Sequence, residues 1–226
     1  MLNVILADSE LELIPKKLWN HPVIKKFVKK RKKDVRYTLL DSSYHHKAMK
    51  NLKENYRRGR PDIVHFCLIN ALESILNKEN KLRIYVHTRN NEVIYVKPET
   101  RIPRHYNRFV GLMEKLFKNK KIPEGLNLLK LENKSLKELI NEISPSKLFV
   151  MHPNGKYLSP AKVGEKLSKY EDPCVIVGGF PHGDFKSKIE GTKISIYPKE
   201  LTAWTVLNEI IINYENKIKK KKEGKI

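Results

Sequence analysis

The apolar positions of this chain fall into short β-branched runs separated by longer stretches of helical period. Leu2–Ala7 is an apolar run ending at Asp8, as expected for a buried strand. Residues 11–30 follow a helical pattern broken near Pro22. Residues 35–40 read as a second strand, closed by the cap-like Asp41-Ser42-Ser43. A short polar helix spans 44–53. Gly59 then marks a helix stop, Pro61 suits a first helical position, and Asp62 falls in the first turn, where the helix dipole favours a carboxylate. Ile63, Phe66, Cys67, Ile69 and the residues from Leu72 to Leu76 predict a largely buried helix.

Residues 81–87 and 92–97 flank Arg89-Asn90-Asn91 and predict a β-hairpin. With the arm up to Lys121 it interrupts the strand–helix rhythm and reads as an insertion over about 81–121. Tyr106–Lys118 predicts a helix with Phe109, Leu112, Met113, Leu116 and Phe117 on one face. A strand at 128–131, a helix at 135–143, a strand at 147–151 and a helix at 159–170, capped by Ser159 with Pro160 next, follow. Cys174–Gly178 is a β-branched run ended by a glycine pair. A second run covers 193–197. After Pro198 comes a helix holding Leu201, Trp204, Leu207, Ile210, Ile211 and Tyr214. The alternation predicts an α/β fold, with a mainly parallel sheet and helices on both faces. Residues 1–226 read as one domain whose last residues, 217–226, are a frayed basic tail.

Charge narrows the picture. Lys+Arg 46 against Asp+Glu 25 gives +21 at pH 7. That excess argues for a polyanionic partner, nucleic acid first and an anionic membrane second. No apolar run approaches a membrane span, and the acid-bearing N-terminus is unlike a signal peptide, so the expected compartment is cytoplasmic. Cys67 and Cys174 sit in separate apolar runs and read as buried free thiols. No Cys/His cluster has zinc spacing, and no metal site is expected.

Three stretches carry candidate chemistry. Strand, glycine loop, strand, proline loop, helix over 174–214 frames a small ligand at the C-terminal ends of parallel strands. It is neither the dinucleotide fingerprint nor a Walker motif. Around RGRPDI, Arg57, Arg58 and Arg60 crowd the positive end of a helix, which suggests an external anion such as phosphate. Arg101, Arg104 and Arg108 recur at i, i+3, i+7 with Tyr106 and Phe109 interleaved and no acid before Glu114. That is either a solvated helical face or an RNA surface combining phosphate clamps with stacking. His65 and Trp204 read as core residues, and His182 falls in the glycine loop.

GGFPHGDF at 178–185, ISIYPKELTAWTVLNEII at 194–211 and the RGRPD segment resemble the knotted SPOUT-class RNA methyltransferases. More closely, they resemble the ribosome-biogenesis family that methylates N1 of a pseudouridine in small-subunit rRNA. The resemblance covers most of the chain and is least diagnostic before Leu40. It implies a C-terminal deep trefoil knot, S-adenosylmethionine as cofactor, a pseudouridine-containing rRNA loop as substrate, a homodimer, and small-subunit assembly proteins as further partners. It carries Gly178, Gly183, Ile196, Tyr197, Pro198, Lys199, Glu200 and Leu201 over as cofactor-binding residues. Arg60, Arg101, Arg104 and Arg108 become RNA contacts. Arg60 takes an electrostatic catalytic role with Asp62 orienting it; Asp62 as direct base is less favoured, since a carboxylate among three arginines is a weak base. An RNA-binding ribosome-assembly factor with secondary or no methylation, or a knotted methyltransferase with another RNA target, stays open.

Overall fold

The computed structural model describes the backbone of residues 1–223 and the side chains of 1–219. The strands are β1 (Leu2–Ser9), β2 (Leu82–Thr88), β3 (Glu92–Val96), β4 (Lys121–Ile122), β5 (Leu129–Asn133), β6 (Lys147–Tyr157), β7 (Pro173–Gly178) and β8 (Thr192–Ser195). The helices are α1 (Pro22–Arg31), α2 (Ser42–Met49), α3 (Pro61–Glu73), α4 (Ile75–Lys78), α5 (Tyr106–Asn119), α6 (Leu136–Ile143), α7 (Pro160–Leu167) and α8 (Ala203–Glu223).

All strands join one eight-stranded sheet in the order β4-β5-β3-β2-β1-β7-β6-β8. From β2 through β8 the neighbours are parallel, and β3, β4 and β5 extend the other edge antiparallel. This is the mainly parallel sheet that the strand–helix alternation predicts. β1 lies at its centre, which is why its residues are buried on both faces. Leu2, Val4 and Leu6 point into the larger core, shared with α3, α5, α7 and α8. Ile5 and Ala7 point into the opposite core, with Leu136 and Leu139 of α6. A third cluster, including Ile24, Leu40 and Met49, joins α1 and α2. The chain leaves β7 inside the sheet and re-enters as β8 beyond β6, so residues 179–191 cross the ends of the strands.

Several expectations change. The hairpin read as an insertion is continuous with the sheet, because β2 pairs in parallel with β1 over Leu2–Leu6. Residues 11–30 are not one broken helix. Leu13 bridges Leu39, a 3-10 turn covers Lys16–Leu18, and only Pro22–Arg31 is helical. Pro15 and Pro22 each lack the N–H that a continuous helix needs. The strand expected at 35–40 is largely a 3-10 turn, Val35–Tyr37. The Asp34 carboxylate caps it by accepting the Arg36 N–H at 3.0 Å, and this local bond outweighs the β-branched composition. The tail from 217 continues as helix to Glu223; the remainder lies outside the described residues.

Candidate functional site

A cavity of about 530 Å3 opens where the C-terminal ends of β6, β7 and β8 meet the start of α8. Gly178, Gly183, Ile196, Tyr197, Lys199, Glu200 and Leu201 all line it, whereas Pro198 does not. The two glycines earn their places differently. A Cβ on Gly178 would come within 2.8 Å of the Phe180 ring. Gly183 has φ +88, a conformation that a side chain strains.

Sequence reasoning missed the third wall. Met151 and Lys156 of β6 both oppose Ile194, so residues 152–155 bulge out of the ladder. The bulge carries His152, Pro153 and Asn154 into the cavity. Its hinge is Gly155, where a Cβ would lie 2.5 Å from the Ile194 nitrogen. A Pro-Asn-Gly triplet inside a strand was the available signal. His152 Nε2 lies 3.1 Å from Asp184 Oδ1. Burial pushes the Asp184 carboxyl upward, but the Phe185 N–H and His152 outweigh it and hold its pKa below the ordinary value.

Asp8 also escaped notice. It ends the central run of β1 with φ +50. Its carboxylate accepts the Lys186 and Ser187 N–H groups at 2.7 and 3.0 Å and the Ser187 hydroxyl at 2.7 Å. The loop after the glycine pair is thereby pinned to the strand.

The arginines of RGRPDI are largely engaged within the chain, which overturns the expectation of an external anion shared by all three. Arg57, 2% exposed, pairs with the fully buried Glu10. Its guanidinium also lies 4.2 Å from the Phe180 ring centroid. Arg58 forms a bidentate pair with Glu12 at 2.8 and 2.6 Å. The acids come from the Asp8–Glu12 stretch at the end of β1, distant in sequence. Arg89 adds pairs to Glu10 and Glu54, making a buried network.

Arg60 stands at the N-cap of α3 and is only partly covered, with 31% of its side chain exposed. Asp62, in the first turn, takes its Nε and Nη2 at 2.8 and 2.7 Å. That hydrogen-bonded carboxylate raises the Arg60 pKa against the opposing effect of burial; the negative charges of Asp62 and Asp41 add to the rise. Tyr106 donates its hydroxyl to Asp41 Oδ2 at 2.6 Å.

Arg101 and Arg104 precede α5, whose N-cap is His105, so the i, i+3, i+7 spacing is not a helical stripe. All three arginines are nevertheless exposed, and none forms an ion pair among the described residues. Glu114 is taken by Lys33 instead. His65 is a core residue, its Nε2 2.7 Å from the Pro103 carbonyl and its ring stacked on Phe109. Trp204 packs against Phe66, with ring centroids 5.2 Å apart. No group of three or more His, Cys, Asp or Glu among the described residues is placed to hold a metal ion.

The sequence profile of the family described as EMG1/NEP1 methyltransferase matches residues 4–215. The chain is 65% identical over 218 residues to the "Ribosomal RNA small subunit methyltransferase Nep1" of Thermococcus sibiricus, covering 96% of this chain and 99% of that one. It is 60% identical over 214 residues to the protein of the same name from Pyrococcus furiosus, covering 95% and 96%. The crystal structure of Archaeoglobus fulgidus Nep1 bound to S-adenosylhomocysteine superposes with a TM-score of 0.84 at 35% identity, covering 95% of this chain and 97% of that one. The chain belongs to the EMG1/NEP1 methyltransferase family.

Proposed function

We propose that the protein transfers the methyl group of S-adenosylmethionine to N1 of a pseudouridine in small-subunit rRNA. One observation carries this reading: the main chain of Glu10 touches both halves of the site. Its N–H donates to the Gly179 carbonyl in the glycine loop at 3.0 Å, and its carbonyl accepts the Arg60 N–H at 3.0 Å. A ligand in the cavity and a base at Arg60 are thus held to one rigid strand end.

The cavity suits the cofactor. Its volume of about 530 Å3 falls within the roughly 300–1,000 Å3 of small-molecule sites. Gly178 and Gly183 leave the loop after β7 free of side chains at two points of the wall, and Asp184 and Glu200 offer carboxylates near a cationic ligand. The cofactor, when bound, supplies an electrophilic methyl group on a sulfonium. Pseudouridine has an N1–H whose proton must leave, to bulk water, as the N1–methyl bond forms. The Arg60 guanidinium, held in place by Asp62, is suited to stabilise the charge that develops on the base carbonyls. Asp62, occupied by Arg60, acts as orienter. The exposed Arg101, Arg104 and Arg108 act as phosphate clamps.

The same reading takes the crossing of residues 179–202 as a trefoil knot and the protein as a cytoplasmic homodimer. No helix among the described residues is long and apolar enough to cross a membrane. Phe66, Ile75 and Ile212, 48%, 53% and 53% exposed on α3, α4 and α8, offer an apolar dimer face. Small-subunit assembly proteins are further partners. Calorimetry with S-adenosylhomocysteine, followed by mass spectrometry of a pseudouridine-containing rRNA loop, tests the reading. Saturable heat and a gain of one methyl are expected. Heatless titration leaves only an RNA-binding assembly role.

A further inference from the structure

We propose that a second cavity, about 160 Å3 between α1, α2 and α5, is a stacking subsite for one unpaired nucleobase of the RNA. The proposal rests on the RNA reading above and assigns a ligand to a place that reading does not use. The walls that matter are Phe27, Arg31, Tyr44, Asn107, Gly111 and Asp41. A cavity of about 150 Å3 is known to hold one benzene ring, so there is room for a single flat ring and not for two.

Gly111 is the telling wall. It lies in the middle of α5, where glycine costs about 1 kcal/mol relative to alanine. A Cβ added there would meet nothing within 4 Å, and the backbone is not in the left-handed region. Neither packing nor conformation calls for glycine here. Gly111 is exposed and lines the cavity, so an added side chain would extend into unoccupied space at its wall.

The opposite wall is a ready stacking surface. Tyr44 is 40% exposed and tilts against Phe27, with centroids 5.3 Å apart. The Arg31 guanidinium lies 5.5 Å from the Tyr44 centroid and 5.7 Å from that of Phe27. Unstacked bases seat on aromatic rings and guanidinium planes of this kind. Asn107 is exposed, and its amide has no hydrogen bond among the described residues, leaving donors and an acceptor for a base edge.

Charge favours a nucleic-acid strand. The acids of the cavity are already engaged. Glu114 takes Lys33 Nζ at 2.8 and 2.7 Å and the Leu39 N–H at 3.2 Å. Asp41 takes the Tyr106 hydroxyl at 2.6 Å and the Ser43 N–H at 2.9 Å. The uncompensated charges are cations: Lys25, Lys26, Lys29, Lys30 and Lys32 are exposed on and just after α1, with no ion pair among the described residues. The cavity shares no wall with the cofactor pocket. It borders the arginine surface instead: Asp41 accepts the hydroxyl of Tyr106, and Asn107 directly precedes Arg108.

The test uses the full-length protein and a single-stranded loop RNA containing one pseudouridine. Affinity is read by fluorescence anisotropy and methylation by mass spectrometry. Gly111→Leu fills the cavity while improving helix propensity; Tyr44→Ala removes the platform and Tyr44→Phe keeps it. Gly111→Leu and Tyr44→Ala should each weaken RNA binding roughly 5- to 150-fold, as for loss of one base stack. The salt slope should not change, because no phosphate contact is lost. Tyr44→Phe and the S-adenosylhomocysteine affinity of all three should match the wild type. An abasic scan should find one position beside the pseudouridine whose base loss costs as much, and Tyr44→Ala should abolish that penalty. If both variants bind RNA as tightly as a wild type that methylates it, the subsite is refuted and the methyltransferase reading stands. If the wild type binds cofactor but no RNA, both fall.

Discussion

Arg57 donates Nη1 to the main-chain carbonyl of Asp184 at 2.8 Å, joining the segment before α3 to the loop that walls the cofactor pocket. The same side chain pairs with Glu10, and its Nη2 is buried without a partner among the described residues. Breaking a buried pair costs about 3–5 kcal/mol where the remaining charge is left uncompensated; here Arg89 still meets Glu10, so the loss falls below that and comes from the Glu10 and Asp184 hydrogen bonds that Arg57 makes. Arg57→Met should therefore lower the unfolding midpoint in calorimetry and weaken S-adenosylhomocysteine binding, whereas a surface change such as Lys25→Met should do neither.

The glycine loop should tolerate no side chain. Gly183→Val forces a β-branched residue into φ +88, and Gly178→Val drives a Cβ into Phe180. Strain of about 1–3 kcal/mol at such a position corresponds to roughly 5- to 150-fold in the dissociation constant if it falls on the ligand-binding loop. Titration calorimetry against S-adenosylhomocysteine measures it; unchanged affinity in both variants would place the cofactor elsewhere.

Much of this was legible in the sequence. The apolar run of β1, the proline start of α3 and the glycine pair after β7 each follow from local chemistry that tertiary contacts reinforce. The hidden parts depend on distant partners. Nothing near Arg57 and Arg58 shows that Glu10 and Glu12 neutralise them, so three arginines at a helix start read as an anion site. Residues 35–40 read as a strand because β-branched composition outweighed the Asp34 cap. The bulge at His152–Gly155 was marked by proline and glycine, but its partner Ile194 lies across the sheet. The pocket walls at Ile196–Leu201 came from resemblance rather than from any spacing rule.

His45 should shape stability in acid. It is fully buried, its Nδ1 accepts the Asp41 N–H at 3.0 Å, and its Nε2 has no partner among the described residues. Burial pushes its pKa down to about 4; the carboxylate of Asp41 opposes the shift, and Lys33 adds to it. The unfolded chain protonates near the ordinary value of about 6.5. Between these values only the unfolded state takes up the proton, so stability is full above about pH 6.5 and falls as pH drops toward 4. His45→Asn should flatten that limb in urea titrations across the range. His87, whose pKa is also lowered by burial, is present in both proteins and cancels in the difference.

Arg60 and Arg104 should separate by what they lose. Arg104→Ala should weaken RNA binding across sequences and reduce the log–log salt slope by about one unit, or about 0.7 for a single strand. Arg60→Ala should depress the single-turnover methyl-transfer rate at saturating RNA by more than it weakens binding, as for an interaction stronger in the transition state. An unchanged rate would make Arg60 another phosphate clamp.

The central claim is that methyl transfer is directed at the free N1 of pseudouridine. Mass spectrometry of two matched rRNA-loop oligonucleotides, one with pseudouridine and one with uridine at the same position, tests it most directly. The pseudouridine strand should gain one methyl and the uridine strand none, since uridine N1 is the glycosidic atom. Equal methylation of both strands would contradict the account and move the target to a ribose or another ring atom.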